Sequence, residues 1–164
     1  MAHRTLDFQT YFVKERTRPE VAEIMFSGIA EAVPGPGVLR ALQEADRIVM
    51  CPSNPIVSIG PILGLPGVRD ALRSHPRVVA VSPIVRGAAL KGPADRMLTS
   101  LGSDSSASGV ARLYSDFVNL FVVDRTDEQE VGKVEALGVR AAALDTIMTD
   151  QEASETLGRS LLAL

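Results

Sequence analysis

The chain alternates short, unbroken apolar runs with stretches whose apolar residues recur at helical spacing. Residues 47–51 (RIVMC), 77–81 (RVVAV), 119–123 (NLFVV) and 139–144 (VRAAAL) are the clearest runs. Runs of this kind, bounded by turn residues, predict strands buried on both faces. Helical spacing appears at 38–45, where Val38, Leu39, Leu42 and Ala45 recur, and again at 57–63, 68–74, 106–114, 128–137 and 150–164. A further helix should begin near Pro93, a residue suited to a helix's first turn, and Gly138 fits the stop of the 128–137 helix. Pro34-Gly35-Pro36-Gly37 breaks regular structure. Before it, residues 6–13 (LDFQTYFV) read as a strand, 17–23 as a loop or short helical turn, and 24–30 as a second short strand. Residues 85–92 read as a loop.

From residue 38 onward strand and helix alternate, which predicts βαβ units and a mostly parallel sheet. The expected architecture is a single α/β domain over residues 1–164, a Rossmann-like three-layer αβα fold. No internal repeat, heptad pattern or low-complexity tract interrupts it. With 46% hydrophobic residues the chain can bury one real core, and with 4% aromatics and no Trp that core must be aliphatic. The net charge of -3 lacks the basic excess of a nucleic-acid binder. No apolar run reaches bilayer-spanning length, and the polar start carries no signal-peptide core. The single cysteine, Cys51, cannot close an internal disulfide, which suits a reducing compartment. A cytoplasmic protein is expected, with neither nucleic acid nor membrane as partner.

Ligands of open α/β sheets bind outside the carboxyl ends of the strands. If the strands are parallel, four polar loops share that edge: Pro52-Ser53-Asn54-Pro55 through Ser58, Ser82-Pro83 through Lys91-Gly92, Asp124 through Asp127, and Asp145-Thr146. In the first, two prolines fix Ser53 and Asn54, and Ser58 falls where a helix should start. That arrangement suits a phosphate or nucleotide cradle. It equally suits a plain turn with Ser58 as a helix cap, and the residues alone leave both readings open. In the second, Arg86 and Lys91 stand among small residues, and Gly92-Pro93 opens a helix; this suits an anion site, though two surface cations on an exposed loop are the commoner case. Asp124, Asp127, Glu128 and Asp145 could hold magnesium or a ribose hydroxyl, but helix capping explains them better.

Other chemistry is poorly represented. His3 and His75 with one cysteine offer no zinc spacing. Cys51 closes a predicted buried strand and reads as an inert core thiol. No G-x-G-x-x-G, P-loop or G-x-S-x-G motif occurs.

The residues around the first loop carry more. Residues 45–63 (ADRIVMCPSNPIVSIGPIL) and 65–72 (LPGVRDAL) closely resemble the 2-phospho-L-lactate transferase family. So do Val81-Ser82-Pro83-Ile84-Val85 with Lys91-Gly92-Pro93-Ala94-Asp95, and, more loosely, residues 7–13, 114–124 and 145–150. The resemblance covers nearly the whole chain and is to the family's C-terminal half. Thr10 stands where the family often has Glu, and Cys51 where it usually has a smaller residue.

The resemblance implies transfer of a 2-phospholactyl or phosphoenolpyruvyl group from a guanosine diphosphate conjugate to the deazaflavin precursor of coenzyme F-420, with release of GMP and magnesium as cofactor. It also implies that Pro52, Ser53, Asn54, Ser58, Ser82, Lys91 and Gly92 form the nucleotide and phosphate site. A homodimer is among the expected assemblies. Two alternatives stand beside this: a non-catalytic nucleotide-binding module, and an inactive fragment whose exposed apolar surface makes it self-associate.

Overall fold

A computed structural model describes residues 4–164 of the chain; His3 lies outside the described residues. The strands, in chain order, are β1 (Ile48–Met50), β2 (Val78–Val81), β3 (Ile84–Val85), β4 (Ala88–Ala89), β5 (Leu120–Asp124) and β6 (Arg140–Leu144). The α-helices are α1 (Val38–Glu44), α2 (Ile59–Leu63), α3 (Val68–Ser74), α4 (Ala94–Ser100), α5 (Ala107–Tyr114), α6 (Val131–Glu135) and α7 (Gln151–Ala163). Four strands form one sheet in the order β1-β2-β5-β6. Every pairing in it is parallel. β3 and β4 form a separate antiparallel hairpin. This is the expected α/β, Rossmann-like three-layer arrangement.

Alternation along the strands separates two faces. Val78, Ala80, Phe121 and Val123 enter the larger core with Val68, Leu98, Val110 and Val134 from the helices between the strands. Val79, Val81, Leu120 and Val122 face the other way, onto Leu157 and Leu161 of α7. The asymmetry follows from the strand order. Each new strand is added on the same side of the last, and right-handed crossovers then place the connecting helices on one face. α7 follows the last strand and closes the other. Its Leu157 and Leu161 are one helical turn apart and so face the sheet together.

The predicted strands of this sheet hold to within a residue or two, but β1 is only half-buried. It pairs on one side alone, with β2, so its two-sided burial is not realised. Cys51 lies just beyond its end and is exposed, which overturns its expected place in the core.

Residues 6–13 form no strand. Thr10–Lys14 is a π-helical turn. The Asp7 carboxylate accepts from the Thr10 N–H at 2.9 Å and its hydroxyl at 2.7 Å, which starts the turn. Phe8 and Phe12 then stack with ring centroids 5.6 Å apart, a four-residue spacing that belongs to a helix. The aromatic content suggested a strand, and the local cap decided otherwise. Residues 24–30 form no strand either: 24–26 are irregular and 27–30 a turn. Phe26 and Ile29 reach over from them to α2: a Cβ at Gly60 would stand 3.1 Å from the Phe26 ring, and one at Gly64 3.2 Å from Ile29. The predicted 128–137 helix divides into a 3-10 segment, Arg125–Glu130, and α6. Residues 85–92, read as a loop, contain the turn and second strand of the β3–β4 hairpin.

Candidate functional site

Because β1, β2, β5 and β6 run parallel, the four polar loops leave the sheet along one edge, as their spacing predicted. In the first, Asn54 shapes the turn. Its Oδ1 accepts from the backbone N–H groups of Ile56 at 2.9 Å and Val57 at 3.2 Å, and its carbonyl accepts from those of Ser58 and Ile59. Its Nδ2 lies 3.5 Å from Sδ of Met97 on α4. Asn54 therefore fixes the Pro52–Pro55 turn and ties it to the helix that follows the second loop. Ser58 is exposed and precedes α2 without capping it through its side chain. Ser53 is half-buried.

The second loop begins with Ser82, which is 2% exposed. Its hydroxyl donates to the Ile84 carbonyl at 2.8 Å and lies 3.2 Å from the Ile84 N–H. Ser82 is thus used up in turning the chain. The hairpin beyond it closes through Arg86 and Gly87, both with positive φ (53° and 77°), the requirement of a two-residue type I′ turn. Asp127 accepts from the Arg86 N–H at 2.6 Å and the Ser105 hydroxyl donates to the Gly87 carbonyl at 2.8 Å, so the tip is held from two sides. Lys91 and Gly92 follow, both exposed. Gly92 has φ 75°, a conformation that favours glycine. Among the described residues Lys91 has no carboxylate partner. A cleft of about 540 Å³ adjoins the hairpin, with Arg18, Glu20, Asp95 and Arg96 in its walls.

The third and fourth loops are joined by Asp124, which is 3% exposed. One carboxylate oxygen accepts from the Thr126 N–H at 2.9 Å and its hydroxyl at 2.6 Å. The other accepts from the Thr146 N–H at 3.0 Å and its hydroxyl at 2.8 Å. Burial pushes this carboxyl up, but the four hydrogen bonds outweigh it and hold it below the ordinary carboxylate range. Asp145 pairs with Arg125 at 3.1 Å. Glu130 accepts from the Ser108 hydroxyl at 2.7 Å and pairs with Lys133 at 2.5 Å. Along this edge Asp124 and Asp127 serve backbone donors and Asp145 pairs with Arg125, while Ser53, Ser58, Lys91 and the Gly92 backbone stay open to a ligand.

Residues 2–162 match the family model described as 2-phospho-L-lactate transferase CofD. The chain belongs to the CofD family. It is 42% identical over 159 residues to the 2-phospho-L-lactate transferase of Methanosarcina barkeri, covering 97% of this chain and 51% of that protein. It is 42% identical over 163 residues to the phosphoenolpyruvate transferase of Kitasatospora aureofaciens, covering 98% and 51%. Against the phosphoenolpyruvate transferase of Streptomyces griseus the identity is 43% over 163 residues, with the same coverage. The chain spans about half the length of the curated relatives it matches.

Within this CofD chain the expected site residues divide in two. Pro52, Asn54 and Ser82 build the turns, and Ser53, Ser58, Lys91 and Gly92 remain accessible. Among the described residues no three His, Cys, Asp or Glu side chains come together, and the oxygens of Asp124 are already taken by donors. Met97 escaped the sequence reading, and Asp127, which that reading named as a ligand candidate better explained by helix capping, instead holds the hairpin tip. The Arg86-Gly87 pair between Ile84-Val85 and Ala88-Ala89 was the available signal for the hairpin, and hence for something that holds its tip.

Proposed function

We propose that this chain forms the nucleotide-facing half of a CofD-type transferase, which joins a 2-phospholactyl or phosphoenolpyruvyl group to the ribityl hydroxyl of a deazaflavin. The donor is a guanosine diphosphate conjugate. The acceptor oxygen forms a new P–O bond at the phosphorus bearing the acid, the P–O–P bond breaks, and GMP leaves with the electron pair. The hydroxyl proton passes to a base or to water. Such a displacement gains chiefly from positioning and from neutralising charge on the phosphates.

In this reading Lys91 supplies the positive charge. The Gly92 N–H and the Ser53 and Ser58 hydroxyls donate to phosphate oxygens, and Pro52 and Asn54 keep the turn in shape. The reading is carried by one observation. The Asn54 amide reaches Met97 on the helix after Lys91-Gly92, so the two loops share a corner of the carboxyl edge.

Calorimetric titration of the chain with GDP tests the assignment. Saturable binding that weakens about tenfold in Lys91→Ala, the loss of one charge-assisted contact, supports it. Binding of equal strength in Lys91→Ala and Ser53→Ala removes both residues from the site. The bound carboxylates of the third and fourth loops favour a second reading, in which this half binds nucleotide without turning it over. A chain that binds GDP yet forms no product with donor and deazaflavin would select that reading.

A further inference from the structure

The opposite edge of the sheet, where the strands begin, carries a feature the transferase reading does not use. Arg47 and Arg77 stand one residue before β1 and β2, and Arg140 is the first residue of β6. Strand alternation gives Arg47 and Arg77 the facing of Val49 and Val79, and Arg140 that of Ala142. All three thus project on the α7 side. They line a single cleft of about 390 Å³, with Asn119, Leu120 and Leu164 among its other walls. Arg47 donates to the Leu161 carbonyl near the end of α7, an ordinary use of a cation at a helix C-terminus. Arg77 and Arg140 are exposed, and among the described residues neither they nor Arg47 has a carboxylate partner. The helix end offsets about half a unit of charge and the carboxylate of Leu164, in the same cleft, at most one more, against three guanidiniums. In a chain of net charge -3, this cleft therefore keeps a local positive excess.

We infer that the cleft at the amino-terminal edge binds a multiply charged phosphate anion, separately from the nucleotide site at the carboxyl edge. Guanidinium groups match phosphate oxygens in bidentate fashion, and two uncommitted ones on one cleft, with β5 between them, suit the two phosphates of a diphosphate better than a single carboxylate. The volume lies in the range of small-molecule sites. The Asn119 Oδ1 accepts from the Val78 N–H at 2.7 Å, which fixes the side chain and leaves its amide N–H groups as further donors. The anion could be free diphosphate or the diphosphate of a nucleotide.

The test is calorimetric titration of the purified chain with inorganic pyrophosphate and, separately, with GDP. The proteins are the parent, Arg77→Ala/Arg140→Ala, and Lys91→Ala. Arg47 is left intact because it caps α7. The expected result is saturable pyrophosphate binding that weakens at least about tenfold in the double arginine variant and persists in Lys91→Ala. A second GDP site lost with the same variant would identify a nucleotide as the source, and pyrophosphate binding alone would identify the free anion. Circular dichroism matching the parent shows that the double variant is folded; should it not match, Arg77→Lys/Arg140→Lys, which keeps charge but loses the bidentate fork, replaces it with the same expected weakening. No pyrophosphate binding to the parent, or binding unchanged in the arginine variant, would overturn the inference, as would binding abolished by Lys91→Ala alone.

Discussion

Replacing Asp124 by Ala isolates the contact that joins two loops of the carboxyl edge. The substitution removes the acceptor of four hydrogen bonds, two from Thr126 and two from Thr146. Thr126 is exposed, so water can serve its N–H and hydroxyl, and its share of the loss is about 1 kcal/mol. Thr146 is 3% exposed, and its N–H would be stranded at a cost of about 1–3 kcal/mol, with roughly another 1 for its hydroxyl. The sum, about 3–5 kcal/mol, is a large part of the about 5–15 kcal/mol of a typical domain. Urea unfolding followed by circular dichroism would read it as a lower midpoint at unchanged slope. The sign of the pH effect follows from the lowered carboxyl. Its stabilisation is present above the ordinary carboxylate range and is lost as pH falls through the folded value, so parent and variant should converge in acid. Asp124→Asn keeps one acceptor oxygen but turns N–H groups toward donors, and should fall between the two. A loss below about 1 kcal/mol in Asp124→Ala, or faster amide exchange at neither Thr126 nor Thr146, would refute the reasoning.

Three further outcomes follow from other contacts. Gly109 lies in the first turn of α5, where a Cβ would collide with the Asp104 carbonyl; Gly109→Ala should cost about 2–4 kcal/mol in urea unfolding, and a neutral effect would contradict that geometry. Asp116 pairs with Arg69 at 2.5 Å and Arg73 at 2.8 Å. The Arg69 hydrogen bonds, with the one from Arg73, hold its carboxyl down at about 2 against the upward push of partial burial. Asp116→Asn should therefore cost about 1 kcal/mol above pH 4, after allowing for solvent screening, with the difference vanishing as pH falls toward 2; a difference independent of pH would exclude the pairing. Cys51 should react with a thiol reagent in the native chain as fast as in urea, and strong native protection would show that β1 is covered.

The sheet was legible because residues 77–81 and 119–123 are short apolar runs closed by polar residues, a pattern with few alternatives. β1 showed the limit of that reasoning. Its run looks like the others, but strand order, which no local pattern encodes, leaves it at an edge and Cys51 in solvent. Residues 6–13 failed for a different reason: the Asp7 cap and the Phe8–Phe12 stack are specific side-chain contacts that outweighed strand-like composition. At the site, the shared edge followed from parallel strands alone. Which polar residues are free did not follow, because Ser53 and Ser82 look alike in sequence while Ser82 is bound to Ile84. The commitment of Asp124 and Asp127 to backbone donors was legible only in part, since capping explains the first but not the reach of the second across to Arg86.

The most direct test of the central claim is calorimetric titration of the chain with GDP, followed by deazaflavin, in the parent and in Lys91→Ala. Saturable GDP binding in the parent, weakened by the substitution and with the Lys91-dependent site kept when Arg77 and Arg140 are lost, is the predicted result. No GDP binding to the parent, or GDP binding indifferent to Lys91, would contradict a nucleotide site at the carboxyl edge.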